Sequence, residues 1–392
     1  MREKITNVNH HLLKWARDKS GYSLEDIAKY IGKEKECIED WESGIDFPTY
    51  IQLEKLASKY ERSIAFFFMQ SPPEDEENLE DQVMLRSSEI RELSPKIYSL
   101  YRQAFFRQTA LQELFGMDEF VEHKILDDIK DARNRDFAEL AAAVRDYIGV
   151  SVEKQMSWGD SKIAISAWRD EIQGKGVFVF KEAFEDNKVD GFCLSDDVFP
   201  VIYLNNTNAE NRQIFTLFHE LGHVLLGNNG ITSDLIFKDN NDEQFCNQFA
   251  SEFLVPFEHF DKHSGSVEYS DNVAKELADD YKVSSQVILY KFLQKGTISE
   301  TFFRNKLSEW ISIGKSKFGN SESYSGGGNY FYNQIMYLGQ HFLTLAFKKY
   351  YEGKCSSDDL ASYFNIKEKN LSKLEDTFIL HNLTECATKY TI

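Results

Sequence analysis

Residues 215–226 read Phe215-Thr216-Leu217-Phe218-His219-Glu220-Leu221-Gly222-His223-Val224-Leu225-Leu226. The run is apolar, compatible with a helix, and carries His-Glu-x-x-His. Two histidines four residues apart stand one turn apart on one helical face, so both imidazoles can reach a single metal ion. Glu220 sits one step round the helix, near enough to take a proton from a metal-bound water. Leu217, Phe218, Leu221, Val224 and Leu225 give the helix a broad apolar surface, which predicts burial. Two imidazoles and a carboxylate in a buried helix are costly unless something pairs them, and a divalent cation does. The competing reading is a buried helix whose histidines are only hydrogen-bonded.

A hydrolytic zinc site of this kind needs a third protein ligand and leaves a fourth position for water. The next acidic cluster, Asp239-Asn240-Asn241-Asp242-Glu243, opens a segment that reads as a second helix from Glu243 to Leu254, stopped by Pro256. Glu243, Cys246, Asn247 and Ala250 share one face of it, and the small residues among them allow a close approach to the histidine helix. Glu252, nine residues after Glu243, falls near the opposite face and reads as structural. Geometry favours Glu243 as the third ligand, with Asp234, Asp239 and Asp242 as competitors that a loop could deliver. His259 and His263 are also four apart, but no glutamate follows His259 and the surroundings are polar, so a surface role is expected. His10, His11, His123, His341 and His381 have no ligand spacing.

Composition sets the outer bounds. At 392 residues the chain exceeds one ordinary core, and about two to four domains are expected. Cys37, Cys193, Cys246, Cys355 and Cys386 are scattered, odd in number and never paired as C-x-x-C, which points to reduced thiols and a cytoplasmic protein. The stretch from Met1 to Asn7 has no apolar run, so no secretory signal is expected. The longest apolar stretch, Tyr330 to Phe347, is interrupted by polar residues and Gly339 and reads as a packed amphipathic helix rather than a membrane span. A net charge of −19 opposes non-specific binding to nucleic acid, which depends on Lys and Arg.

Four segments follow from the pattern: 1–70, a helical unit; 71–150, an acidic linker and helical segment; 151–264, the core around the His-Glu-x-x-His helix; and 265–392, a helical region. In the first, Ser23 to Asp26 reads as a capping box, Gly32 ends the helix it opens, and Ile38 and Trp41 face inward from a third helix. Ile27-Ala28, Gly32, Ile38, Trp41-Glu42-x-Gly44, Pro48-Thr49, Leu53-x-x-Leu56-Ala57 and Phe66-Phe67 together resemble the Xre/Cro-type helix-turn-helix. In such modules the third helix presents its outward side chains to DNA. Here those are Lys33, Glu34, Lys35, Glu36, Glu39 and Asp40, four carboxylates against two amines, which would repel phosphates. A protein-docking role is favoured over DNA binding. Val177 to Phe180, Gly191 to Leu194 and Pro200 to Asn205 read as short strands leading into the histidine helix. Leu277 to Ile288 and Leu360 to Leu371 repeat the helix-turn-helix rhythm, and Gly326-Gly327-Gly328 reads as a hinge or loop.

Taken together, these motifs resemble the ImmA/IrrE-type metallo-endopeptidases in the long form that carries an N-terminal helix-turn-helix. Gly176-Val177, Val179-Phe180, Gly191-Phe192, Pro200-x-Ile202-x-Leu204-Asn205, the His219 segment and Glu243-x-x-Cys246-Asn247-x-Phe249-Ala250-x-Glu252-x-Leu254-x-Pro256 carry the likeness. It implies an α+β, mostly helical chain: an N-terminal helix-turn-helix bundle, a central gluzincin-like metallopeptidase domain with a small sheet, and a C-terminal helical region. It implies Zn2+ on His219, His223 and Glu243, with Mn2+ or Fe2+ as alternatives, and Glu220 as the base. It implies a protein substrate, a helix-turn-helix repressor or antitoxin-type partner, in mobile-element, toxin–antitoxin or stress and defence control. Cys246 departs from the usual alanine and is expected to be a small packing residue. Asn205, Tyr203 and Arg212 are candidates for substrate-strand or oxyanion contacts. The alternative from another class is a non-proteolytic regulatory protein that docks a partner, or DNA, through its helix-turn-helix units.

Overall fold

The computed structural model describes residues 3–72, 93–116, 124–186, 188–228, 230–233, 241–318 and 329–389. Its backbone divides into two units, Met1–Phe105 with Phe184–Asn187, and Phe106–Ala183 with Lys188–Ile392. In the first, α1 (His10–Lys19), α2 (Leu24–Ile31), α3 (Lys35–Ser43) and α4 (Tyr50–Tyr60) are followed by a 3-10 turn at Ile64–Phe68. Ser23 and Asp26 form the expected capping box, and Gly32 ends α2 in the left-handed region at φ 74°. Leu12, Leu13, Ala16, Ile27, Ile38, Trp41, Leu53, Leu56 and Phe67 make one core. Arg17 on α1 grips Glu42 on α3 with two bonds, Nε to Oε1 at 2.7 Å and Nη2 to Oε2 at 2.9 Å. Glu42 is therefore part of the frame of this unit.

The helix α5 (Pro95–Phe115) continues the chain into the second unit. There the order is α6 (Ile125–Asp128), α7 (Phe137–Ile148), α8 (Val152–Ser157), α9 (Ser161–Gln173), β1 (Phe178–Glu182), β2 (Val189–Leu194), β3 (Val201–Asn205), α10 (Glu210–Leu225), β4 (Gly230–Ser233) and α11 (Asn241–Leu254). Then follow α12 (Phe257–Ser264), α13 (Asp271–Tyr281), α14 (Ser285–Gln294), α15 (Glu300–Phe318), α16 (Tyr330–Leu338), α17 (Gln340–Tyr351), α18 (Ser357–Tyr363) and α19 (Leu371–Lys389). The chain is mostly helical around a small sheet, an α+β architecture. The apolar rhythm of residues 330–347 suggests one helix, but it forms two. Gly339 breaks them at φ 86°, where a Cβ would stand 2.8 Å from Arg169 Nη2.

Four strands lie in the order β1-β3-β2-β4. β1 runs parallel to β3; β2 runs antiparallel to β3 and to β4. The fourth strand, Gly-Ile-Thr-Ser, is too short to read from its sequence. Val179, Cys193, Ile202 and Leu204 face Ile214, Leu217, Phe218 and Leu221 of α10 in one core. Phe178, Phe180, Phe192 and Tyr203 alternate to the other face, where Phe342 of α17 meets Phe178 and Phe180 edge-on at 6.2 and 5.2 Å between ring centroids. A sheet covered on both faces explains strands that read as unbroken apolar runs.

The core around α10 runs from Ile125 to Phe292, so the divisions expected at 150 and 264 fall inside it. Arg145 of α7 donates to Phe253 O and Val150 O, and Gln155 of α8 donates to Leu254 O and Tyr281 O. The bonds to Phe253 O and Leu254 O satisfy carbonyls at the end of α11 that have no partner within the helix. Burial pushes Arg145 down to about 10. The helix pair α13–α14, one of the two later helix-turn-helix rhythms, places Ala278, Tyr281, Val283 and Ile288 in this same core. Gly326–328 and most of the acidic segment 71–82 lie outside the described residues. Among the described residues no helix is long and apolar enough to cross a membrane.

α10 packs tightly on α11 because residue 222 is glycine. A Cβ there would stand 3.1 Å from both Cys246 Sγ and Phe249 Cδ1. Gly222→Ala should therefore cost about 1–3 kcal/mol through overpacking. Adding Cys246→Ala should recover part of that, since Phe249 still crowds the site. Thermal unfolding of the two variants checks both steps.

Candidate metal centre

His219 and His223 stand on consecutive turns of α10, and Glu243 stands on the first turn of α11. All three side chains are buried. His219 Nε2 and His223 Nε2 are 3.1 Å apart. Glu243 Oε2 is 3.3 Å from His219 Nε2, and Oε1 is 3.2 Å from His223 Nε2. Asn247, one turn after Glu243, has its Oδ1 2.9 Å from His219 Nδ1. An amide oxygen only accepts, so Nδ1 carries the proton and Nε2 offers its lone pair to the centre.

Two imidazole nitrogens and a carboxylate thus converge from three sides. The separations of 3.1–3.3 Å are close to the edge of a tetrahedron with zinc-like arms, about 3.3–3.4 Å for ligand bonds near 2.0–2.1 Å. Among the described residues, His219, His223 and Glu243 form the one cluster of three or more such side chains able to hold a metal ion. The donor set and its spacing fit a divalent cation.

Glu220 follows His219 directly and is fully buried. Gly191 on β2 lies against the turn that carries it. A Cβ at Gly191 would fall 2.6 Å from Thr216 Cγ2, 2.9 Å from Tyr203 O and 3.5 Å from Glu220 Cγ. Only a glycine lets β2 approach α10 so closely at that turn.

The other candidates lie elsewhere. Tyr203 is on the sheet face turned away from α10, where its hydroxyl accepts from Arg107 Nη1 at 2.8 Å. That orientation removes it from the oxyanion position. Asn205 donates to Val189 O at 3.0 Å and accepts from Thr207 N and Oγ1, so it caps the turn after β3. Arg212 pairs with Asp190 at 2.7 Å. Asp242 accepts from Asn228 Nδ2 at 2.8 Å, while Asp234 and Asp239 lie outside the described residues. Glu252 accepts from Lys291 at 2.6 Å and from Phe257 N at 2.8 Å, a structural role. His259 bonds Tyr281 Oη at 2.7 Å, and His263 pairs with Asp280 at 3.2 Å, both near the surface. The residue whose part at the centre the spacing left unread is Asn247. Its signal was its place four residues after Glu243, on the same helical face.

Residues 172–293 match the M78 peptidase family model, described as an IrrE N-terminal-like domain. Residues 13–67 match a helix-turn-helix family model. No curated protein matches the chain.

Asn247→Ala should lower zinc affinity by about 10–100-fold by freeing the His219 ring. Tyr203→Phe should leave it unchanged, since that hydroxyl faces Arg107. Competition with a chromophoric chelator measures both.

Proposed function

We propose that this chain, which joins a Xre/Cro-like helix-turn-helix domain to an ImmA/IrrE-like peptidase domain, is a zinc-dependent endopeptidase that cuts a regulatory protein. The observation that carries this reading is the buried convergence of His219 Nε2, His223 Nε2 and the Glu243 carboxylate, with separations of 3.1–3.3 Å. These residues would hold the ion, with Mn2+ or Fe2+ as substitutes for zinc. A bound zinc supplies Lewis acidity and a water acidified to roughly pKa 7. Glu220 takes the proton from the attacking water and passes it to the leaving amine. Asn247 keeps the His219 ring in the tautomer that leaves Nε2 available. The resemblance to long-form members favours a helix-turn-helix repressor or antitoxin-type substrate in mobile-element, toxin–antitoxin or stress and defence control. Cys37, Cys193, Cys246 and Cys355, none in a disulfide, suit a cytoplasmic setting.

A second reading, a regulatory protein that docks a partner without cutting it, draws on the first unit. Lys35 is paired with Glu25 at 2.7 Å and lies 3.8 Å from Glu39. The amine is thereby partly neutralised, and the face that would meet DNA keeps the carboxylates of Glu34, Glu36 and Asp40. Beside it, Ile45 is 75% and Tyr50 54% exposed. Apolar side chains next to carboxylates suit a protein surface better than phosphates.

Glu220→Gln should retain zinc and lose cleavage by about 10²–10⁴-fold. Used as a trap in its native host, this variant should capture a protein that the wild type cuts at one site. Wild-type cleavage by the variant would remove Glu220 from the role of base. A partner that binds both forms and is never cut would favour docking. A salt-dependent, sequence-selective gel shift would return DNA binding to the first unit.

A further inference from the structure

Asn228, in the turn after α10, touches both helices that bear the candidate ligands. Its backbone N–H donates to His223 O at 2.9 Å. Its Nδ2 donates to Asp242 Oδ2 at 2.8 Å, on the residue before Glu243. Its Oδ1 accepts from Arg133 Nη2 at 2.7 Å, and the same guanidinium nitrogen donates to Leu226 O at the end of α10. The Cys193 thiol on β2 reaches Asn228 O at 3.5 Å. The chemistry fixes the amide orientation: a guanidinium only donates and a carboxylate only accepts, so the oxygen faces Arg133 and the nitrogen faces Asp242. A neutral primary amide serves both at once, with the acceptor and the donor on separate atoms.

We propose that Asn228, steadied by Arg133, is a positioning residue that sets Glu243 against His223 and so determines the shape of the metal cage. The proposal rests on reading His219, His223 and Glu243 as the ligands. One end of the link is the backbone of His223 itself. The other is the residue beside Glu243, at the start of α11, where the ligand distance is most sensitive to movement of the helix end. Arg133 holds the same turn from outside, through Leu226 O, so Asn228 has a fixed point to bear on. Asp242 serves here as an anchor for the start of α11 and not as a ligand.

The test compares Asn228→Ala, Asn228→Asp, and the exchange Asn228→Asp with Asp242→Asn. The exchange keeps one amide and one carboxylate across the link. Three quantities are measured on the full chain: zinc affinity by chelator competition, the visible absorption of the cobalt-loaded protein, and the unfolding midpoint of the metal-free protein. Asn228→Ala should weaken zinc binding about 10–100-fold and diminish the intense cobalt bands of four-coordinate geometry, with little change in the metal-free midpoint. Asn228→Asp should also weaken binding, because two carboxylates then face each other. The exchange should restore affinity to within about 3-fold of wild type, a recovery that double substitution of neighbours can reveal.

Single variants that bind zinc as tightly as wild type, with unchanged cobalt spectra, would overturn the proposal. So would losses that the exchange fails to recover and that follow a lowered metal-free midpoint, since those mark a structural residue only. A wild type that binds neither metal, alongside an equally inert Glu243→Gln, would instead bring down the ligand reading, and the positioning role with it.

Discussion

The site depends on how closely α10 approaches α11. His219 and His223 lie on one helix and Glu243 on the other, and helix axes ordinarily pack 8–10 Å apart. At Gly222 there is no side chain to hold them off: Cys246 and Phe249 occupy the space a Cβ would need. The same glycine stands between the two histidines in sequence, so a close approach of the helices coincides with the convergence of the candidate ligands. Apolar contact on the flanks of the contact, among Leu217, Phe218, Leu221, Phe249 and Phe253, supplies the favourable free energy. The buried polar groups at its centre supply a cost that a cation would offset.

That contact is held by groups that reach in from distant parts of the chain. Arg145 and Gln155 close the last carbonyls of α11. Lys291, fully buried on α14, is neutralised by Glu252 near the C-terminal end of α11. Arg133 and Asn228 close the end of α10. Buried charges of this sort contribute less to stability than apolar packing of equal volume, because desolvation takes back much of the Coulombic gain. What they provide is direction. Each bond fixes one helix end against another element, and ligand geometry tolerates errors of only a few tenths of an ångström.

The parts of this arrangement that were legible in the sequence are those written as a local period. His219, Glu220 and His223 declare themselves within five residues, and Glu243 follows from the face it shares with Cys246, Asn247 and Ala250. The capping box at Ser23 and Asp26 and the left-handed Gly32 are equally local. The illegible parts depend on partners far along the chain. Tyr203 and Leu204 look alike as strand residues, and only the packing of α10 on one face and Phe342 on the other decides which points to α10. Asn205 and Arg212 read as available for substrate, whereas in the fold Asn205 donates to Val189 O and Arg212 pairs with Asp190. Residues 330–347 have a single helical rhythm, yet Arg169 fills the space beside Gly339 and donates to Met336 O and Tyr337 O, which ends the first helix there.

The helix-turn-helix rhythm shows where such reading stops. It is a pattern of apolar residues, and it records only how two helices pack on a third. In α13–α14 the same spacing puts Ala278, Tyr281, Val283 and Ile288 into the core beneath α10 and α11, where no ligand could reach it. In α2–α3 it builds an independent bundle with an exposed face. What a face binds is decided by the positions the rhythm leaves unconstrained. On α3 and the two residues before it these carry Glu34, Glu36, Glu39 and Asp40 against Lys33, while Lys35 is held by Glu25. DNA affinity comes mostly from neutralising phosphates and releasing counterions, and that face has little charge of the right sign to offer. The fold of the first unit is therefore compatible with reading DNA, while the charge on its recognition helix favours a protein.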